Sequence, residues 1–153
     1  ENLTLAGELL AQLFVSTTGT DADWVVKVID VYPDDEPNEP LTPEHIRLGG
    51  YQMMVRSEVM RGRFRNSYEH PQPFTPGEPT EVTLPLQDVY HTFKAGHRVM
   101  IQIQSTWFPL IDRNPQTFVD NIFRATQDDF QKATHRVFHS RSYPSNIQFK
   151  RLP

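Results

Sequence analysis

The sequence contains no cysteine, which excludes disulfides, thiolate metal sites and a cysteine nucleophile. It also has no apolar run that approaches the roughly 20 residues needed to cross a bilayer as a helix, so no transmembrane segment is predicted. Basic residues are fewer than acidic ones, 15 against 19, and the formal net charge of -4 offers no broad basic surface to a polyanion. Membrane spanning and nucleic-acid binding are therefore not expected.

Glycine is also scarce, with seven residues in 153, and this excludes one catalytic motif. A nucleophile elbow requires a serine with glycines two positions before and two positions after it, because the strand-to-helix turn is sharp. No serine stands two positions after any glycine of this sequence. The chain opens at Glu1 with neither a methionine nor a charged leader, so we expect a segment of a longer polypeptide.

Apolar and polar side chains alternate along several runs, which is the period of a β-strand. Leu9, Ala11, Leu13 and Val15 form one such series. Thirteen prolines fall mainly between the runs, where they do not weaken a strand ladder. The pattern predicts a single all-β domain with long loops, whose sheets have one face in the core and the other in water. The predicted strands lie at residues 9–15, 24–32, 82–86 and 99–104.

One segment, residues 126–133, departs from this alternation. Thr126 is a candidate N-cap, Asp128 and Asp129 stand in the first turn, and Lys132 stands near the end. Each of these placements favours a helix through capping or through the helix dipole. We therefore predict a short helix of about two turns here.

Histidines and acidic residues are the candidates for a metal site. His135 and His139 have the spacing of a zinc pair on a helix, but their segment is rich in β-branched and aromatic residues. In a strand these two side chains stand roughly 13 Å apart, so we expect no metal there. An acidic cluster lacks the pattern of a calcium loop and is interpreted as solvated turns. Its members are Asp21, Asp23, Asp30, Asp34, Asp35 and Glu36.

Two further groups of residues are interpreted as structural. Arg61, Arg63 and Arg65 alternate and would share one face of an extended strand, as a row that is solvated or paired with carboxylates. His97 stands in a turn before a predicted strand, where an imidazole bonds neighbouring backbone groups. A catalytic histidine would need serine and aspartate partners, and no local pattern supplies them.

Several motifs in order give the chain a family resemblance. They run from Asp21 to Asp35, Gly49 to Val55, Arg61 to Arg65, Gly96 to Arg98, and Phe108 to Pro115. Together they resemble the C-terminal domain of the Xaa-Pro dipeptidyl-peptidase and cocaine-esterase-like (CocE/NonD) serine hydrolases. The run from Val99 through Pro109 to Phe118 is most similar to the α-amino-acid ester hydrolase and glutaryl-acylase branch. The resemblance extends through Ser145.

The resemblance implies a β-sandwich of jelly-roll type, like a galactose-binding domain, packed beside an α/β-hydrolase domain of the same polypeptide. That partner domain would carry the serine, aspartate and histidine that cleave an acyl ester or amide, and no residue of this sequence corresponds to them. The family's domain also has a leading segment before the position of Glu1. A sandwich without it would expose a sheet edge, which predicts pairing with another copy as a homo-oligomer.

The loop from Phe108 to Pro115 is the candidate contact with the catalytic domain or its substrate cleft, because it combines an aromatic ring, prolines and an arginine. Internal packing and ligand binding are alternative roles for this loop. Trp24 and Trp107 are interpreted as core or interface anchors rather than as sugar platforms. The candidate contact residues are Trp107, Phe108, Asp112, Arg113 and Asn114.

The expected function is therefore that of a non-catalytic domain that braces a hydrolase and helps to wall its cleft. A carbohydrate-binding jelly roll and an oligomerisation domain remain alternatives, because fold alone does not separate them. No cofactor is expected, and no catalytic residue is assigned. The resemblance favours a periplasmic or secreted parent protein, although no residue of the sequence indicates the compartment or the substrate.

Overall fold

A computed structural model describes all 153 residues. Seven β-strands form two antiparallel sheets, and the remaining ordered elements are three short 3-10 turns. The structure contains no helix with the length and hydrophobicity that a membrane crossing requires. The strands are β1 (Leu3–Thr17), β2 (Asp23–Val31), β3 (Gln52–Arg61), β4 (Thr80–Phe93), β5 (Arg98–Gln104), β6 (His135–Phe138) and β7 (Asn146–Gln148).

The first sheet is built around β1. Strand β4 pairs along nearly the whole length of β1, from Leu3 opposite Phe93 to Val15 opposite Thr80. On its other edge β1 pairs with β6 near one end and with β7 near its middle. The long first strand therefore joins the central and the final parts of the sequence.

The second sheet has the order β3-β2-β5, with β2 in the centre. Asp23 of β2 stands opposite Arg61 of β3, and Val31 stands opposite both Gln52 and Arg98. Strand β5 pairs with β2 alone, so the outer edge of β5 is unpaired. The outer edge of β3 is likewise unpaired.

The hydrophobic core lies between the two sheets, which makes the domain a β-sandwich. The alternating series at Leu9, Ala11, Leu13 and Val15 is buried as predicted, with each side chain no more than 1% exposed. Val82, Leu84 and Leu86 of β4 meet Trp24, Val26 and Val28 of β2 in the same core cluster. The predicted all-β class is thus confirmed, while the jelly-roll order of connections stays a prediction.

Strand β2 differs from the prediction because both of its faces are buried. Val25 is fully buried and Ile29 is 5% exposed, although both point away from the core side chains of β2. The expectation that this strand has one face in water is wrong. The loop between β5 and β6, residues 105–134, contacts the outer face at Asp23 and Lys27, and we call it the outer loop.

The predicted helix at residues 126–133 is also wrong in extent. The structure has a single 3-10 turn, Gln127–Asp129, and Phe130 is already extended. The capping signal itself is genuine, because the Asp129 carboxylate accepts hydrogen bonds from the backbone N–H of Thr126 at 2.7 Å and from its hydroxyl at 3.0 Å. A cap fixes one turn, and no apolar face at helical spacing follows to extend it.

Candidate functional site

The outer loop is fixed to β2 by two contacts. The Asn114 side-chain amide donates a hydrogen bond of 3.0 Å to the carboxylate of Asp23, in a buried position. Lys27 lies four residues after Asp23 on the same face of β2, and its Nζ is 3.9 Å from the centre of the Trp107 ring. Because both contacts reach the outer face of β2, the loop lies flat over that strand.

Between the outer loop and the start of β6 lies a cavity of about 880 Å³, which we call the bowl. Four of the five predicted contact residues line it, namely Trp107, Phe108, Arg113 and Asn114. Asp112 does not line it, since its carboxylate turns to Arg61 at 3.5 Å. The other lining residues are Gln104, Ser105, Thr106, Gln116, Phe130, Gln131, Lys132, Ala133 and His135.

The guanidinium of Arg113 stacks on Phe108, with the Cζ atom 4.7 Å from the ring centre. This stacking holds the side chain at the rim of the bowl without using its N–H groups. Asn114 beside it is only 7% exposed, because it is directed down to Asp23. The predicted contact loop therefore combines one anchored residue with one accessible cation.

Asp23 is the titratable group beneath the outer loop. Burial raises the pKa of its carboxyl to about 6, while the hydrogen bond from Asn114 acts in the opposite direction. One of its carboxylate oxygens, Oδ2, has no hydrogen-bond partner. A carboxyl group in such a position is protonated at mildly acidic pH, so the anchor of the loop changes charge there.

The three alternating arginines do not form the predicted row. Arg61 ends β3 and the chain then turns through the 3-10 segment Gly62–Phe64. Arg63 is buried and pairs with Asp21 at 2.7–2.8 Å, while Arg65 donates to the carbonyls of Gln72 and Pro73. The prediction of a shared strand face is wrong because the strand ends too early, but carboxylate pairing of two of the arginines is confirmed.

The acidic cluster is also more buried than the sequence suggested. Asp21, Asp23 and Asp30 are at most 2% exposed, whereas Asp34 and Asp35 lie in an exposed turn, so the solvated-turn interpretation is right only for the latter. The three buried side chains lie in or beside β2, where the outer loop and the facing sheet cover them. Burial of a carboxylate requires partners, and each of the three has them.

Asp30 connects the two sheets through a pair of histidines. Its two oxygens lie 2.9 Å from Nε2 of His91, on β4, and 2.8 Å from Nδ1 of His97. The second nitrogen of His97 faces Glu36 at 3.8 Å, and the side chain is only 3% exposed. This arrangement fits the structural role expected for His97, with a carboxylate in place of backbone groups. A catalytic histidine would instead present that second nitrogen to a nucleophile.

His135 was weighed only as a zinc ligand, and the structure gives it a different environment. It begins β6, where Nε2 lies 2.7 Å from Oε1 of Gln116 and the ring packs against Trp24. Burial lowers the pKa of this imidazole. The strand conformation predicted for this segment is confirmed, and His139 lies just beyond its end.

Phe130, Lys132 and Gln116 line the bowl but were not among the predicted residues. Gln116 adopts a left-handed conformation with φ of 66°, and its carbonyl accepts hydrogen bonds from the backbone N–H groups of Thr20 and Asp21. No local pattern marks these three residues, because their position depends on how the outer loop folds back on the sheet.

A second concave surface is lined by the inward residues of β5. It is an apolar groove of about 390 Å³ between the inner faces of the two sheets. Val99 and Ile101 of β5 point into it and remain 44% and 38% exposed, whereas inward residues of β1 are almost fully buried. We call this surface the apolar groove. It is lined by Leu3, Leu5, Leu9, Leu13, Val28, Val99, Ile101, Ile103, Ser145, Asn146, Ile147 and Phe149.

The sequence and the fold of this chain match those of known proteins. Residues 1–148 match the family described as the X-Pro dipeptidyl-peptidase C-terminal non-catalytic domain. The chain belongs to this family. The resemblance recognised in the sequence motifs is thereby confirmed, and the absence of a catalytic constellation agrees with the family's description.

Two solved structures share the fold over essentially the whole chain. An aminopeptidase from the marine sediment archaeon Thaumarchaeota archaeon superimposes with a TM-score of 0.93 at 48% identity. The match covers 100% of this chain and 24% of the aminopeptidase chain. An α-amino acid ester hydrolase superimposes with a TM-score of 0.91 at 46% identity, covering 99% and 24%. This second relative supports the branch that the sequence motifs indicated.

Among curated proteins, the cocaine esterase of Rhodococcus sp. (strain MB1 Bresler) is 29% identical over 143 residues. The match covers 94% of this chain and 22% of that enzyme. The chain therefore spans about a quarter of the length of the relatives it matches. Its fold and sequence are those of the non-catalytic C-terminal domain found in X-Pro dipeptidyl-peptidases and CocE-like hydrolases.

Proposed function

We propose that this domain braces the catalytic domain of a serine hydrolase and forms one wall of its substrate cleft. The observation that carries the proposal is an exposed apolar patch on the outer loop, beside the bowl. Phe108, Phe123 and Phe130 line one concave surface of it and are 58%, 77% and 46% exposed, and Leu110, two residues from Phe108, is 67% exposed.

Such a patch is unusual on a domain that stands alone. Large apolar side chains that cluster in the open mark interaction sites, and aromatic residues with an arginine are enriched in the buried centre of interfaces. Arg113 and Asp112 line the same surface. The patch thus combines apolar side chains with two charged ones, as docking surfaces do.

The reaction itself belongs to residues outside this sequence. The relatives are named as an esterase, an ester hydrolase and an aminopeptidase, and all three of these names describe cleavage of an acyl ester or amide bond. We infer that the parent polypeptide performs a reaction of this class with a serine nucleophile, through an acyl-enzyme that water hydrolyses. This domain supplies shape and support to that site.

Leu110→Ser tests the docking surface, with Leu41→Ser as the matched control. Both leucines are largely exposed in this chain, at 67% and 95%, but Leu41 lies outside the outer loop and does not line the patch. If Leu110 is buried by a catalytic domain, its replacement removes about 2 kcal/mol of docking free energy in the full-length polypeptide. Thermal unfolding and kcat/KM of the full-length polypeptide report the loss.

The same substitution in the 153-residue chain should leave the unfolding temperature unchanged, because the side chain is already in water there. Equal effects of Leu110→Ser and Leu41→Ser in the full-length polypeptide would rule out docking through this patch.

A second candidate function is oligomerisation, which the apolar groove and the unpaired edge of β5 favour. An edge strand with open hydrogen-bonding groups beside exposed apolar side chains is a template for another strand. We infer that a second copy covers this side. In the competing arrangement, the leading segment that the family resemblance implies covers the apolar groove and the edge of β5.

A further inference from the structure

The bowl is lined by cations and by no acidic residue, in a protein whose net charge is negative. Arg113, Lys132 and His135 contribute nitrogen groups to its wall, and the remaining lining residues are neutral. Three carboxylates that are adjacent or bonded to lining residues are directed elsewhere. Asp112 faces Arg61, Asp129 caps Thr126, and Asp23 lies under Asn114. The local charge of the bowl is therefore opposite to that of the whole chain.

Two of these cations have no partner within the protein. Neither Arg113 nor Lys132 forms an ion pair, and neither side chain donates a hydrogen bond to another residue. Both are exposed. His135, by contrast, is bonded to Gln116, and burial lowers its pKa, which favours the neutral ring. The charge available to a ligand thus comes from the guanidinium and the ammonium groups.

Each amide side chain of the bowl donates one hydrogen bond within the protein. Asn114 donates to Asp23, Gln116 donates to the carbonyl of Asn114, and Gln131 donates to the carbonyl of Gln116. Gln104 likewise donates to the carbonyl of Thr106. These bonds hold the wall in shape, and the charged groups of Arg113 and Lys132 are the strongest unpaired donors in it. Recognition in this cavity rests on charge and on apolar contact.

Apolar contact is supplied by three aromatic rings. Lys27 covers one face of Trp107, and Trp107 also lines the bowl. Phe108 and Phe130 line the cavity as well and are half exposed. A pocket with aromatic walls and a small number of charged groups suits a ligand that has an apolar body and one charged end.

We propose that the bowl binds an organic carboxylate whose body is aromatic or branched and apolar. Arg113 is the group that takes the carboxylate in a two-pronged hydrogen bond, Lys132 adds a second charge, and Trp107 packs against the body of the ligand. The further step, that this ligand is a substrate or acid product of the parent hydrolase, rests on the proposed function. Binding to the 153-residue chain does not.

Phenylacetate is the probe, and phenylacetamide is its uncharged match. In a ¹H–¹⁵N spectrum the two tryptophan indole N–H groups give separate signals, which Trp107→Phe assigns. We expect phenylacetate to shift the Trp107 signal saturably at millimolar concentrations, and phenylacetamide to shift it far less. The spectrum itself reports that the chain is folded. For the full-length polypeptide, the matching readout is the fluorescence change that Trp107→Phe abolishes.

Arg113→Ala and Lys132→Ala should each weaken phenylacetate binding by roughly tenfold, which is typical of one charge-assisted hydrogen bond. Arg141→Ala and Lys94→Ala are the matched controls, because both side chains are exposed, unpaired and outside the bowl. Arg113→Lys should recover part of the affinity, since it restores charge without the two-pronged geometry.

Three results would overturn the proposal: no shift of the Trp107 signal, equal binding of the amide, or equal losses in the control variants. A saturable shift with an oligosaccharide and none with phenylacetate would replace it with the carbohydrate-binding alternative. Binding of phenylacetate together with a negative Leu110→Ser test would retain the site and remove its link to the hydrolase cleft.

Discussion

Asp23 anchors the outer loop through Asn114, and its raised pKa makes the stability of the fold depend on pH. It begins β2, receives the hydrogen bond of Asn114 and is 1% exposed. From sequence it was interpreted as part of a solvated turn, since nothing nearby indicates cover. Its cover comes from a residue 91 positions later, so only the folded chain explains its burial.

Asp23→Asn should remove the loss of stability that the buried carboxylate causes when it is ionised at higher pH. The pKa of the carboxyl is raised from 3.8 to about 6 in the folded chain, so the folded state binds more protons than the unfolded state between these values. Stability therefore decreases as pH rises through this window, by about 3 kcal/mol in total, and stays lower above it. The variant lacks this decrease.

Denaturant unfolding at pH 4 and pH 8 measures the effect. The difference in unfolding free energy between the variant and the wild type should shift by about 2 kcal/mol in favour of the variant on going to the higher pH, because the unfolded carboxyl is already partly ionised at pH 4. Asp35→Asn, in an exposed turn, is the control. An offset that is the same at both pH values would show that charge burial is not the cause.

At the scale of elements, strand alternation was predicted well where one face of the strand meets the core. The series Leu9 to Val15 and Val82 to Leu86 are buried as their period indicates. The sequence misjudged β2 and residues 126–133, for related reasons. The outer loop covers β2 from a distant part of the chain, and the capping signal at Thr126 concerns one turn only.

The sequence likewise predicted only part of the candidate site. Trp107, Phe108, Arg113 and Asn114 stand close together in the sequence, so a single loop brings them to one cavity. Phe130, Lys132 and His135 complete the bowl from later residues. Their proximity depends on tertiary folding, which composition and spacing do not encode locally.

The end of β3 offers a test of close packing between elements. A Cβ atom on Gly62 would collide with the ring of Phe74 and would lie 2.6 Å from the carbonyl oxygen of Ala22. Gly62→Ala should therefore lower the free energy of unfolding by about 3 kcal/mol, the upper end for overpacking. Equilibrium unfolding in urea is the measurement.

Gly77→Ala serves as the comparison. No atom lies within 4 Å of the Cβ that would be added there, so the cost is limited to its positive φ of 82°, about 1 kcal/mol. If the two variants lose the same stability, contact at Gly62 is not what excludes a side chain.

At the scale of the whole molecule, β5 contributes to two surfaces of opposite character. Its last residue, Gln104, lines the bowl and its cations, and its inward residues line the apolar groove. Exposed apolar side chains in a sandwich interior are costly in water, so we expect this groove to be covered in the functional protein.

Ile101→Glu tests the cover, with Ile46→Glu as a control of the same exposure, 38%. If a second copy pairs at β5, the wild-type chain forms a dimer and Ile101→Glu is a monomer in sedimentation velocity, whereas Ile46→Glu remains a dimer. A full-length polypeptide that is monomeric, and that Ile101→Glu nevertheless destabilises, would instead indicate cover by its own leading segment. No effect on mass or stability would exclude both arrangements.

The position of β1 has a consequence for the order in which the chain is made. Its second edge is closed by β6 and β7, and Leu5 forms a further bridge with Arg151, so these partners emerge from the ribosome long after β1 itself. At ordinary rates of synthesis, on the order of ten seconds pass between the appearance of β1 and that of β7. During that interval the first strand has an open edge, and this is when a nascent chain of this kind has most need of a chaperone.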